Sequence, residues 1–268
     1  MSVATSHKGF FTDTTVCIGC KACEVACKQW NQLPDDGMFF SGMSYDNTVD
    51  LGASTWRHVS FVERPAGLGA QIAGDDDRSF SWLMMSDVCK HCQRAGCLEN
   101  CPTGAIVRTE FDTVYVQPDI CNGCGYCIAG CPFGVIDRRA DDGRAWKCTL
   151  CYDRLKDDLT PACAKACPTE SIVFGDMDQL RERAERRVEE LHARGVADAY
   201  LYGVDGAAQP GTEGLNAFFL LVDEPEVYNL PPDPVAPTKK IGESWRSMFA
   251  AAGAMVALAV AAAVRSRR

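Results

Sequence analysis

The stretch from Cys121 to Pro132 constrains this chain more than any other part of the sequence. It places four thiols within eleven residues, separated by two, two and three residues, and a proline follows the last thiol. Gly123 and Gly125 lie between the thiols, and glycine lets the backbone wrap closely around a compact anion and point its N–H groups at it. A loop of this kind is expected to fold around a bound group.

Three further runs repeat this arrangement and together use all sixteen cysteines of the chain. The last step, of three residues, is the same in every run, whereas the step before it opens to four residues in the second run and eleven in the fourth. Prolines follow the second, third and fourth runs, and Lys28 follows the first. The runs are Cys17, Cys20, Cys23 and Cys27; Cys89, Cys92, Cys97 and Cys101; Cys121, Cys124, Cys127 and Cys131; and Cys148, Cys151, Cys163 and Cys167.

This spacing is that of bacterial ferredoxin loops, in which three cysteines hold one iron–sulfur cluster and the fourth holds a neighbouring cluster. With four thiolates for each cluster, the sixteen cysteines predict four [4Fe–4S] clusters and leave no thiol over. Disulfides are not expected, because disulfide scaffolds are short secreted chains. Structural zinc sites use two separated ligand pairs, not three or four thiols in one loop. A zinc-stabilised interaction protein is the alternative that the residues alone leave open.

Composition excludes several classes of function. The chain has 268 residues and a formal net charge of −9, so it lacks the basic face that nucleic-acid phosphates require. It contains no glycine-rich nucleotide loop and no HExxH motif, and its four histidines are scattered. We therefore expect no catalytic residues. His91, between Cys89 and Cys92, is interpreted as a surface residue or as a support for a ligand, not as a ligand itself.

The first residues, MSVATSHKG, contain no apolar segment and no paired arginines, so no secretory signal is expected there. Thiolate ligands must stay reduced while clusters are inserted. Cluster assembly is therefore expected in the cytoplasm.

The rest of the pattern predicts an α+β fold. A helix is expected over residues 176–194, with Leu180, Ala184, Val188 and Leu191 on one stripe and Gly195 at its end. Residues 65–78, rich in glycine and aspartate, predict the connection of an inserted β-hairpin. A short helical turn is expected at 24–30, and strands at 10–12, 55–63, 79–85, 103–107, 114–116, 171–174, 199–202 and 216–222.

A C-terminal membrane helix is predicted over residues 247–264. These 18 positions carry no charge and span about 27 Å as a helix, enough to cross a bilayer core. Trp245 lies where an interfacial aromatic anchor belongs. Five prolines within 225–237 predict a semi-rigid extended linker before the helix. Basic residues flank the helix on both sides, so the positive-inside rule does not orient it.

Three segments carry a resemblance to a known family: HCQRAGCLENCPTGAI at 91–106, ICNGCGYCIAGCPFGV at 120–135 and KCTLCYDR at 147–154. With RVEELHARG at 187–195 and one C-terminal membrane helix, the chain resembles the iron–sulfur (beta) subunit of membrane-bound formate dehydrogenases. These belong to the four-cluster ferredoxin-type subunits of molybdopterin oxidoreductases. The resemblance covers nearly the whole chain.

The resemblance implies how the cysteines share the clusters. Each cluster would be held by three cysteines of one run and one of another. The four sets would be Cys17, Cys20 and Cys23 with Cys167; Cys148, Cys151 and Cys163 with Cys27; Cys89, Cys92 and Cys97 with Cys131; and Cys121, Cys124 and Cys127 with Cys101. The fold expected is two nested bacterial-ferredoxin-like dicluster units with an inserted β-hairpin, a C-terminal extension and a single transmembrane helix. Residues 1–175 would form the four-cluster domain, 176–237 a partner-contacting extension and linker, and 238–268 the anchor.

The resemblance also implies partners. The outer cysteine runs would face a catalytic subunit carrying molybdenum or tungsten with molybdopterin. The inner runs would face a cytochrome b-type or other quinone-reactive membrane subunit. The chain would relay electrons singly between the two, held at the cell membrane through residues 245–264 in contact with lipid. The alternatives are the same relay for a hydrogenase, nitrate reductase or sulfur-compound reductase, and a stand-alone enzyme. The stand-alone enzyme is disfavoured because each cluster would already have four thiolates, which leaves no open iron site.

Overall fold

In the computed structural model, a four-stranded sheet forms the centre of the molecule. The structure describes residues 6–37, 40–42, 45–46, 48–65, 80–207 and 209–266. The strands of the sheet are β1 (Lys8–Asp13), β8 (Ile172–Asp176), β9 (Tyr200–Tyr202) and β10 (Ala217–Leu221). Across the sheet they follow the order β8-β1-β10-β9. β1 pairs antiparallel with β8 and parallel with β10. Residues near both ends of the chain therefore share one sheet.

The two faces of this sheet bury different cores. On one face, Phe11 stacks on Phe218 with ring centroids 5.4 Å apart. These rings pack against the helix α6 (Met177–Ala193) through Leu180 and Ala184. On the other face, Phe10 packs among buried cysteines of the first and last runs. The sequence GFFT of β1 supplies both cores because successive side chains of a strand point to opposite faces.

Helix α6 confirms the predicted amphipathic helix. Leu180, Ala184 and Leu191 are buried, and Val188 packs against them. The helix ends before Gly195, whose φ of +88° lies in the left-handed region that glycine adopts freely. At the other end, Asp176 is the N-cap residue, but its side chain does not cap the helix; it accepts a hydrogen bond from Lys8 at 2.8 Å.

The predicted inserted hairpin is present. Strand β2 (Arg57–Pro65) pairs antiparallel with β3 (Phe80–Val88), from Arg57 opposite Val88 to Pro65 opposite Phe80. The hairpin packs over the first cysteine loop, where Phe61 and Met84 lie against Gly19. The predicted connection at 65–78 lies, beyond Pro65, outside the described residues.

Short helices and two small hairpins complete the cysteine-rich part. The strand predicted at 103–107 begins later, because Gly104 has a φ of +69° and keeps the preceding residues in a turn. The hairpins are β4 (Ile106–Arg108) with β5 (Val114–Val116), and β6 (Asp137–Arg138) with β7 (Ala145–Trp146). The helices are α1 (Ala22–Asn31), α2 (Gly96–Glu99), α3 (Tyr126–Ala129), α4 (Tyr152–Lys156) and α5 (Ala162–Lys165).

The proline-rich segment differs from the extended linker that its composition predicts. It forms two 3₁₀ turns, Pro225–Tyr228 and Pro237–Lys240. Between them, Leu230 is buried, and Ala236 N donates to the Gly211 carbonyl at 3.0 Å. Prolines fix φ but do not decide whether a segment packs. Residues 225–240, hereafter the strap, lie against the body of the protein.

The strap leads into the helix α7 (Ile241–Ser266). The apolar span found by length and composition runs over Pro237–Arg265, with a mean hydropathy of 2.1, and none of its apolar window is buried. Large side chains such as Phe249, Met255 and Leu258 are exposed along it. The part of the chain that the structure describes therefore has one helix, at its C-terminal end, that is long and apolar enough to cross a membrane.

Candidate iron–sulfur centres

The structure gathers the sixteen cysteines into four groups, each with three members from one run and one from another. Group A contains Cys17, Cys20, Cys23 and Cys167. Group B contains Cys148, Cys151, Cys163 and Cys27. Group C contains Cys89, Cys92, Cys97 and Cys131. Group D contains Cys121, Cys124, Cys127 and Cys101.

Group A forms where the first and last cysteine runs meet. Cys17 follows the 3₁₀ turn after β1, and Cys167 precedes β8, the antiparallel partner of β1. The four thiols line one cavity. Burial raises the pKa of the Cys17 thiol, and the nearby thiolates of Cys167 and Cys20 raise it further. Strand pairing thus unites thiols that are distant in the sequence.

Group B joins Cys27, one turn after Cys23 on α1, to the fourth run. Burial raises the pKa of Cys27, and the thiolates of Cys148, Cys163 and Cys151 raise it further. The Cys27 sulfur accepts a hydrogen bond from Asn31 Nδ2 at 3.6 Å. The close approach of α1 and α5 in the fold makes this group possible.

Group C is enclosed by the second run and the end of the third. Its four thiols line a second cavity. Burial raises the pKa of Cys92 well above its usual range, and the thiolates of Cys89, Cys131 and Cys97 add to the shift. Burial likewise raises the pKa of Cys97 to about 12. In a buried site of this kind, bringing thiolates together requires a bound cation.

Group D closes around the Cys121–Cys127 loop. Burial raises the pKa of Cys127 to about 11, helped by the thiolates of Cys121, Cys101 and Cys124. Gly123 has a φ of +72°, and a Cβ there would lie 2.2 Å from the Gly143 carbonyl oxygen. The glycine is therefore required for the loop to pass this close to β6–β7.

The four groups follow one another in space. Cys23 of group A lies close enough to Cys163 of group B for the Cys163 thiolate to raise its pKa, after burial as the main cause. Cys148 of group B is affected in the same way by Cys89 of group C. Cys97 of group C is likewise affected by Cys127 of group D. The order in space is therefore A, B, C, D.

The two ends of this series reach the surface. Cys20 in group A and Cys124 in group D are exposed, and the other fourteen cysteines are buried or half-buried. Each exposed thiol is the second cysteine of its run. The arrangement gives a buried middle and two accessible ends.

The donor chemistry fits [4Fe–4S] clusters. Each group offers four thiols, the full ligand set of one such cluster. Three of the four come from one run and the fourth from another, as in ferredoxin loops.

Buried cations balance the negative charge that four thiolates and a cluster would bring. Arg57 is 1% exposed and donates from Nη2 to the Cys163 sulfur at 3.3 Å. Lys147 is 2% exposed, donates to the Cys148 carbonyl at 3.0 Å and lies near the thiols of groups B and C. Lys90 is also buried. Positive charge of this kind offsets the free-energy cost of burying an anionic group.

These cations differ in how far they lie from the cysteines along the sequence. Lys90 and Lys147 stand beside cysteines, whereas Arg57 comes from the inserted hairpin, 106 positions from Cys163. Ser86 of the same hairpin lies 3.2 Å from the Cys23 sulfur, and nothing in the cysteine spacing indicates this contact. Other cations near the runs pair with carboxylates: Lys21 with Asp46, Lys28 with Asp36, and Arg94 with Glu99.

His91 is not the surface residue that the sequence suggested as one possibility. It is 1% exposed and lines the cavity of group C. Its Nδ1 accepts a hydrogen bond from Val114 N at 3.0 Å. The alternative reading, a residue beside the ligands, agrees with this position.

Two family models described as "4Fe-4S dicluster domain" match the chain, one over residues 16–105 and one over residues 80–177. Together they cover all four cysteine runs. The matches therefore support iron–sulfur binding in both halves of the cysteine-rich part.

Comparison with known proteins extends the likeness beyond the cysteine runs. The "Formate dehydrogenase iron-sulfur subunit" of Haemophilus influenzae is 42% identical over 83% of this chain and 68% of its own length. The "Formate dehydrogenase-O iron-sulfur subunit" of Escherichia coli is 39% identical over 89% of this chain and 76% of its own length. One polypeptide of the anaerobic dimethyl sulfoxide reductase of E. coli is 31% identical over 67% of this chain and 78% of its own length.

Proposed function

Because this chain belongs to the iron–sulfur subunits of formate dehydrogenases, we propose that groups A to D form one ordered electron path through the molecule. The chain is an electron-transfer subunit with four [4Fe–4S] clusters, not the catalytic subunit. When bound, each cluster supplies one-electron transfer. The observation that carries the path is the unbroken series of four cysteine groups whose only exposed thiols are at its two ends.

The proposed ligand sets are groups A to D as defined by their cysteines. In each set, three thiolates come from one run. The fourth comes from another run, which supplies three thiolates to the neighbouring set. Runs one and four thus serve groups A and B, and runs two and three serve groups C and D. This is the nested pair of ferredoxin-like units, with residues 1–175 holding the clusters. The protein tunes each cluster through burial, charge and hydrogen bonds to sulfur.

We further propose a direction for the path. The strap ends beside α2, where Thr238 Oγ1 donates to Glu99 and Pro237 lies against Gly96. Helix α7, the proposed single-pass membrane anchor, therefore leaves the body next to groups C and D. Group D would face a quinone-reactive membrane subunit, and group A, at the other end, a catalytic subunit with molybdopterin and molybdenum or tungsten. The strap and the part of the body from residue 176 onwards would contact these partners.

The direction can be tested with two matched substitutions, Cys20→Ser and Cys124→Ser, in the complex purified in detergent. Each replaces the exposed second cysteine of a run. With formate as reductant, Cys20→Ser is expected to prevent reduction of the remaining clusters. Cys124→Ser is expected to leave them reducible but to abolish transfer to quinone. Electron paramagnetic resonance (EPR) measures reduction of the clusters by formate and then their reoxidation when quinone is added. Reduction blocked in Cys124→Ser but not in Cys20→Ser would contradict the proposed direction.

A second candidate is the same relay in a sulfoxide-reducing complex, because a dimethyl sulfoxide reductase polypeptide is also related. That relative is matched over less of this chain than the formate dehydrogenase subunits are. The two functions can be distinguished by the substrate that exchanges electrons with the clusters. Reduction of the clusters by formate supports the first, and oxidation of pre-reduced clusters by dimethyl sulfoxide, without reduction by formate, supports the second.

A further inference from the structure

The Nδ1 atom of His91 is a hydrogen-bond acceptor in this structure. The backbone N–H of Val114 donates to His91 Nδ1 at 3.0 Å. A backbone N–H only donates, so Nδ1 must accept and carry no proton. In neutral imidazole, the remaining proton then sits on Nε2. The hydrogen bond thus selects one tautomer.

His91 is 1% exposed, so its ring is shielded from water. The hydrogen bond from Val114 therefore leaves the ring one N–H donor, at Nε2, in a buried position.

This donor has no partner within the described part of the chain. His91 Nε2 is buried and makes no hydrogen bond there. Buried donors are rarely left unpaired, because their desolvation is then uncompensated. The residue lines the cavity enclosed by Cys89, Cys92, Cys97 and Cys131. An acceptor inside that cavity would satisfy the donor.

The other polar side chains of this cavity are already engaged. Lys90 donates to Asp87 at 2.5 Å. Lys147 donates to the carbonyls of Val114 and Cys148 and also reaches Cys89. Among the polar side chains lining the cavity, His91 is thus the one with a buried nitrogen that has no hydrogen-bond partner in the described structure.

We propose that His91 donates an N–H···S hydrogen bond from Nε2 to the cluster held by group C and thereby raises the reduction potential of that cluster. The inference rests on the proposed ligand set of group C. The reduced cluster carries more negative charge, so an N–H donor stabilises it more than the oxidised cluster. Burial alone acts in the opposite direction, because it disfavours the more highly charged state. His91 offsets that effect at an interior position of the path.

The test compares two substitutions in the detergent-purified complex by redox titration followed by EPR. His91→Leu removes the donor, and His91→Gln keeps an N–H. His91→Leu is expected to lower one midpoint potential by about 59 mV, the equivalent of a tenfold change in the ratio of reduced to oxidised cluster. The other three midpoints are expected to stay unchanged, and His91→Gln to retain most of the wild-type value. His58→Leu, which removes a buried histidine that contacts Asp46, is the matched control and should leave this midpoint unchanged.

Unchanged midpoints in His91→Leu, with full iron content, would overturn the inference. If His91→Leu loses the cluster, the wild-type complex labelled with ¹⁵N-histidine decides instead. Pulsed EPR should then detect a histidine nitrogen coupled to one reduced cluster, and absence of that coupling would overturn the proposal.

The affected cluster can be identified independently, because Cys92→Ser perturbs the group C cluster. The midpoint lowered in His91→Leu must belong to the same EPR signal that Cys92→Ser alters. A shift in a different signal would overturn the role of His91 and leave the electron path intact. Failure of formate to reduce any cluster in the wild-type complex would instead contradict the proposed function.

Discussion

Asp46 shows how single residues hold the first cysteine loop in place. Its carboxylate accepts hydrogen bonds from Lys21 Nζ at 2.7 Å and Thr48 N at 3.0 Å, and it contacts His58 Nε2. Lys21 lies between two cysteines of group A. Burial acts to raise the pKa of Asp46, but the hydrogen bonds from Lys21, His58 and Thr48 outweigh it and lower that pKa. The ionised carboxylate is therefore the form that the fold stabilises.

Replacing Asp46 with asparagine is expected to accelerate loss of the clusters about tenfold at neutral pH. Hydrogen bonds to a charged group contribute about 1.5–3 kcal/mol, and an asparagine keeps the shape but not the charge. The native pKa is lowered, so this stability is present above the unfolded-state value and disappears as pH falls through the native pKa, below 3.8. The rate difference between wild type and variant should therefore be fully present at neutral pH, well above that range.

The decay of visible absorbance on heating measures this rate. Asp36→Asn is the control, because Asp36 pairs with Lys28 in a more exposed part of the same loop, and exposed ion pairs contribute little. Equal rates of cluster loss in wild type and Asp46→Asn at neutral pH would contradict the assignment.

Cysteine spacing predicted every thiol of the candidate centres, but it could not predict Arg57. The spacing rule is local, and each run identifies its own members. Arg57 reaches Cys163 only because the β2–β3 hairpin packs over the outer groups. The sequence of β2 predicts a strand, yet it does not indicate the surface on which that strand packs. The contact between Arg57 and Cys163 therefore follows from the packing of the hairpin and could not be predicted from the sequence.

At the scale of elements, helix α6 was predictable and the strap was not. The periodicity of Leu180, Ala184 and Leu191, followed by Gly195, defines a helix and its buried face without further information. In the strap, the prolines dominate the pattern. The buried side chains that fasten it, Tyr228 and Leu230, have no periodic neighbours that would mark them as core residues.

Tyr228→Ala is expected to release the strap. Tyr228 is 1% exposed and packs with Tyr202, Phe219 and Leu221. Truncating a buried aromatic side chain costs about 3–5 kcal/mol. If this loss lowers the free energy needed to open the strap locally, cleavage between residues 222 and 241 should become at least about 100-fold faster. Limited proteolysis of the detergent-solubilised protein measures this rate.

Tyr228→Phe is the matched control for release of the strap. It keeps the buried ring, so its cleavage rate should stay much closer to that of the wild type. Equal cleavage rates in wild type and Tyr228→Ala would mean that the strap is held by other contacts, such as the hydrogen bond from Ala236 to Gly211.

At the scale of the whole molecule, the fold separates the electron path from the proposed anchor. The cysteine groups lie in the body, whose core combines the central sheet with the cysteine loops. Helix α7 buries none of its apolar window against that body. The strap is the connection between them, and it ends beside groups C and D.

Ending the chain after Lys240 is therefore expected to remove membrane attachment without removing the clusters. The shortened chain keeps the strap and every cysteine, so iron and acid-labile sulfide per chain should match the full-length protein. It should move from the membrane fraction to the soluble fraction, because an 18-residue apolar span supplies the proposed anchor.

A chain ending after Glu224 also loses the strap and exposes the core beneath Tyr228 and Leu230. We expect it to lose iron on purification, which would show that the strap belongs to the folded body. Retention of the chain ending at Lys240 in washed membranes, without its partner subunits, would contradict anchoring by α7.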